Sequence, residues 1–128
     1  MDEKEKMKLC FNGAQFFLEL CIIEPKFCEL KPSLQAAIGL YLSRKFLMNY
    51  TNDKVWTCDL CFKTNYSEIE IKKDIKIALI TIKNFFGNIY TINFMATSLY
   101  IKYSSLEYSR VSSKLKKKFI NEFVSNRS

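Results

Sequence analysis

Residues 84–103 read NFFGNIYTINFMATSLYIKY, and the fold turns on how this stretch is read. Gly87 stands between two phenylalanines and a run that is apolar on nearly every side. The chain holds only three glycines, so this one calls for a reason. Ile89, Ile92, Ala96, Leu99 and Tyr103 form one helical stripe, while Tyr90, Phe94 and Ile101 lie elsewhere around the axis. A helix apolar on most sides belongs inside a domain. The pattern therefore predicts a central buried helix over about 87–103. Gly87 either bares its backbone for a close neighbour or closes the preceding helix.

Outward from this stretch, most segments show helical periodicity. Residues 3–23 predict a first helix, with acidic Asp2, Glu3 and Glu5 at its positive end. Gly13 weakens it by roughly 1 kcal/mol relative to alanine. Glu24-Pro25 stops it, because a residue before proline avoids helical angles. Residues 32–50 predict a second helix, with Pro32 at its start and Leu34, Ile38, Leu42, Phe46 and Tyr50 stepping by four. A short helix is expected over 54–62. Residues 67–84 fit a strand in part, but their length and the Ser67/Glu70 capping box favour a helix. Ser104 and Ser105 should cap a last helix, 106–124, with Leu106, Val111, Leu115, Phe119 and Phe123 inward. The expected fold is all-α, five or six helices in a single domain spanning 1–128.

Composition narrows the chemistry. Hydrophobic residues at 48% and charged residues at 26% suit a folded chain. Histidine is absent, which removes His-based triads and His metal sites. Three scattered glycines build no phosphate loop. No enzyme activity and no cofactor are expected. The net charge of +7 gathers partly in Lys114, Lys116, Lys117, Lys118 and Arg127, either a solvated helix face or a contact for nucleic acid or anionic lipid. Five cysteines without a signal peptide indicate a reducing compartment. Cys58 and Cys61 have zinc-like spacing but lack two further ligands. No apolar run is long enough to span a bilayer.

The segment Phe85, Phe86, Gly87, Asn88, Ile89 resembles the signature Asn-Trp-Gly-Arg-Ile of the B-cell lymphoma (Bcl) family of apoptosis regulators. There the glycine opens a buried central helix. Ile75 and Leu79, twelve and eight positions before Gly87, fall where that family places groove-lining residues. Gly39 followed by Leu42, Phe46 and Tyr50 is similar to its third homology region. Asn88 departs from the family's arginine. The resemblance implies a Bcl-like bundle, in a divergent viral member, that inhibits apoptosis in the host cytoplasm or at the mitochondrial outer membrane. Its partner would be the amphipathic helix of a host pro-apoptotic protein, bound in an apolar groove lined by Leu42, Phe46, Ile75, Leu79, Tyr90 and Met95, with Gly87 and Asn88 at the ligand's aspartate. A homodimer is compatible with this reading; nucleic acid and membrane insertion are not part of it. Two alternatives stay open: the same fold with a filled groove, antagonising innate immune signalling, and a small zinc- or nucleic-acid-binding module built on Cys58, Cys61 and the basic end.

Overall fold

The computed structural model describes residues 2–48, 50, 52–87 and 94–118. Helix α1 (Glu3–Cys21) starts at Asp2, whose carboxylate accepts from the Glu5 N–H at 2.8 Å. It ends before Pro25, the first residue of the short α2 (Pro25–Cys28), whose N-cap is Glu24. One proline thus stops one helix and starts the next. Helix α3 (Pro32–Phe46) also begins on a proline and ends on Arg44 and Lys45, cations that suit its negative end.

α1 and α3 form the closest pair. Their backbones approach at two glycines. A Cβ on Gly39 would lie 3.1 Å from the Ala14 carbonyl oxygen and 3.1 Å from Leu18 Cγ. A Cβ on Gly13 would collide with the Ser43 and Leu47 side chains. Ser43 cannot yield easily, because its buried hydroxyl donates to the Cys10 carbonyl at 2.7 Å. The glycine that weakens α1 as an isolated helix is what lets α3 lie against it.

The expected helix over 54–62 is two pieces, α4 (Asn52–Val55) and α5 (Cys58–Thr64). Trp56 lies between them, and Thr57 caps α5 by accepting from the Leu60 N–H at 3.2 Å. Arg44 ties α4 to α3 by donating to the Val55 and Lys54 carbonyls at 2.8 and 2.9 Å. The Trp56 indole donates to the Tyr66 carbonyl at 2.9 Å.

Helix α6 (Glu68–Gly87) opens with the expected capping box. The Glu70 N–H donates to Ser67 Oγ at 3.2 Å, and the Glu70 carboxylate accepts from the Ser67 N–H at 3.4 Å. Ile71, Ile75, Ala78, Ile82, Phe85 and Phe86 are buried along one stripe. Phe16 of α1 is the hub of the core. Its ring centroid lies 5.9 Å from Phe85, 6.2 Å from Phe86 and 5.2 Å from Tyr103. The pairs with Phe85 and Tyr103 are edge-on, an arrangement that adds about 0.5–1.5 kcal/mol beyond area burial.

All described elements are helical, with no strand among the described residues. The expected central helix over 87–103 falls partly outside the described residues. Gly87 closes α6, and residues 88–93 lie outside the described residues. Helix α7 runs only from Phe94 to Ser104. Ile101 on it is 63% exposed, and Leu99 and Tyr100 are half-buried. The helix that fills the core is α1, through the fully buried Phe16, Phe17 and Cys21. The last expected helix is also divided. A 3-10 turn (Leu106–Tyr108) leads through Ser109 and Arg110, with φ of 58° and 52°, into a helix at 111–118. Two left-handed residues in succession cannot continue a helix. Leu106 points outward at 73% exposure, whereas Val111 and Leu115 are buried as expected. Phe119 and Phe123 lie outside the described residues.

Candidate functional site

The described residues expected to line a groove are distributed over α3, α6 and α7. Leu42 is fully buried in the α1–α3 pairing, and Ile75 sits in the inward stripe of α6. Phe46 and Leu79 are half-buried at the margin of the core. Gly87 is the last residue of α6, the helix-ending role that was one of its two readings. Asn88 and Tyr90 lie outside the described residues. Met95 lies in α7.

The thiols offer little reactivity. Burial pushes Cys21 up to about 12 and raises Cys10, so neither supplies a thiolate near neutral pH. Cys58 and Cys61 lie on α5, and no group of three or more metal-capable side chains occurs among the described residues. A closed zinc site needs four ligands.

What the fold presents outward is surface for contact. On α6, Ile69 and Ile80 are exposed and stand eleven residues, about three turns, apart, with Lys73 and Lys76 between them. On α1, Met7 and Phe11 are an exposed pair one turn apart. These positions escape a reading that assigns every isoleucine or phenylalanine of an amphipathic helix to the core. The helical wheel of α6 carried the signal, since both isoleucines share its lysine face.

One polar cluster joins α1 to α7. Lys102 bonds both carboxylate oxygens of Glu19, at 3.0 and 3.3 Å, and that bond raises its pKa. Beside it the Tyr103 hydroxyl is buried without a hydrogen-bond partner of good geometry. Burial first, and the nearby Glu19 charge second, push this phenol well above its ordinary range. The cluster fastens the two helices and holds no group poised for proton transfer.

The profile of the cyclin C-terminal domain matches residues 1–117. The chain belongs to the cyclin C-terminal domain family. This cyclin domain is similar to a G2/mitotic-specific cyclin-B of Patella vulgata, with 34% identity over 114 residues, 87% of this chain and 25% of the relative. It therefore spans about a quarter of the length of the curated relative it matches. No solved structure matches it.

Membership in the cyclin family overturns the Bcl resemblance. With that resemblance go apoptosis inhibition, the viral assignment, the pro-apoptotic helix and homodimer as partners, and the alternatives of innate-immune antagonism and a zinc- or nucleic-acid-binding module. The reason is physical. An aromatic pair, a glycine and an apolar segment also describe a helix end followed by a second helix. The signature shared only the glycine and the isoleucine with this chain. The cyclin similarity extends over 114 residues. No helix among the described residues is long and apolar enough to cross a membrane.

Proposed function

We propose that the chain is a regulatory, non-catalytic module of a G2/mitotic-type cyclin and acts in the cell cycle through association with a cyclin-dependent kinase. The observation that carries this reading is the family match over residues 1–117 together with the cyclin-B relative. Its chemistry agrees. The chain has no histidine, its buried thiols are protonated near neutral pH, and its outward features are helix faces suited to protein contact. Helical scaffolds with exposed apolar side chains among lysines bind partners; they do not turn over substrates without a converging set of reactive groups.

The test is a domain replacement. A cyclin-B whose own C-terminal domain is exchanged for this chain is mixed with its cyclin-dependent kinase, and complex formation and kinase activity are measured. The expected outcome is a stable complex with activity near that of the parent. A chimera that folds cooperatively yet neither binds nor activates any kinase of a cell-cycle panel rejects the proposal. The isolated chain, run alongside, should show no turnover of ATP by itself.

A further inference from the structure

We infer that the recess between the 3-10 turn (Leu106–Tyr108) and the helix at 111–118 is a docking site for a phosphorylated serine or threonine peptide. This goes beyond kinase association and does not depend on it. Arg110, Lys114 and Lys117 line a recess of about 650 Å³ together with Ser113. Lys114 and Lys117 stand three residues apart on one face of the helix, and Arg110 sits in the left-handed turn just before it. Like charges so placed destabilise a helix by a few tenths of a kcal/mol per pair. None of the three forms an ion pair among the described residues, and the nearest lining carboxylate, Glu5 of α1, belongs to the adjoining recess. Ser113, whose hydroxyl makes no hydrogen bond among the described residues, supplies a hydroxyl donor beside them.

A phosphoserine carries about −1.5 to −2 charges and three acceptor oxygens, which matches three converging cations and a hydroxyl. The recess adjoins a second one that shares Leu106, Arg110 and Lys114 and adds Lys8 from α1. Leu106, largely exposed at the rim common to both, offers an apolar contact for a side chain next to the phosphate. The cations fall on one turn and the helix that follows it, within eight residues, and do not form a long row. That geometry suits one phosphoryl group with a flanking apolar residue. A nucleic-acid strand, with a phosphate at every step, calls for an extended track of cations.

The experiment is fluorescence anisotropy with the full chain at physiological salt. The probes are a short peptide carrying one phosphoserine between leucines, its unphosphorylated twin, and a single-stranded oligonucleotide. The expected result is saturable binding of the phosphopeptide and at least about tenfold weaker binding of the twin, the order expected for losing charged hydrogen bonds. The Lys114→Gln/Lys117→Gln variant should lose about tenfold or more. Lys73→Gln/Lys76→Gln, the same charge change on exposed positions of α6, should leave affinity unaltered. Equal loss in both double variants, equal binding of the twin, or tighter binding of the oligonucleotide overturns the site. Thermal melts of both variants, expected to match the parent because all four lysines are surface residues, separate loss of binding from loss of fold.

Discussion

Helices α1 and α7 invert what their sequences advertise. α1 carries Glu3, Lys4, Glu5, Lys6, Lys8 and Glu19, yet it supplies the centre of the core. In α7, Lys102 is the single charged residue, yet Ile101 stands largely in water. The difference lies in what each helix can bring close. α1 has Gly13 on its inward face and receives Gly39 from α3, so two backbones meet and the large side chains around them are sealed. Along its described side chains α7 meets the core chiefly through Tyr103 and Leu99. Apolar residues all round an axis measure how much burial a helix could gain, while the available partners set how much it does gain.

The sharpest way to break this comparison is truncation at matched positions. Phe16→Ala removes the ring that α1, α6 and α7 share and should cost about 3–5 kcal/mol, whereas Ile101→Ala should stay within about 0.5 kcal/mol. Urea denaturation of the two variants measures both. Similar losses would mean that α7 is as central as α1. Next in size is Gly39→Ala. The new methyl meets a backbone carbonyl and a leucine branch point, neither of which moves without shifting α1. Overpacking of about 1–3 kcal/mol outweighs the roughly 1 kcal/mol that alanine adds to helix propensity. A net loss of about 1 kcal/mol is expected, and a gain in stability would show that the glycines are not what draws α1 and α3 together.

Tyr103→Phe sharpens the α1–α7 contact in the other direction. It keeps the ring against Phe16 and removes a buried hydroxyl without a good partner, so stability should rise by about 1 kcal/mol. A loss of similar size would mean that the hydroxyl is satisfied by Glu19. The smallest effect is on pH dependence. Tyr103 and Lys102 both hold their protons more tightly folded than unfolded, from ordinary values of 10.0 and 10.5. Their stabilising contribution is therefore complete below pH 10.0 and declines as pH rises above it, because the unfolded chain releases those protons first. Denaturation midpoints measured across that range should fall for the parent and fall less for Tyr103→Phe. An equal fall in both would exclude Tyr103 as a source.

Much of the helical architecture was legible in local chemistry. Asp2 with the acidic first turn, Pro25, Pro32 and the Ser67/Glu70 box mark helix ends through backbone hydrogen bonds that involve only near neighbours. The inward stripe of α6 followed from its period. The break at Ser109 and Arg110 was not legible, because neither residue advertises a left-handed backbone; the turn is closed by the Ser105 carbonyl accepting from Arg110, and Ser109 is held by Asn12 of α1 at 3.0 Å. The candidate site was least legible. Lys114 and Lys117 read as part of a solvated basic face until the 3-10 turn and Arg110 are placed beside them, and Arg110 carried no such signal.

Sequence alone determined that this chain is helical, where most helices begin, and that histidine-based chemistry is absent, since each follows from near-neighbour hydrogen bonding, periodicity or composition. The tertiary structure decided which helix is central and which basic residues face a recess. Those outcomes depend on how closely distant backbones approach, here at Gly13 and Gly39, and no single stretch of residues contains that distance.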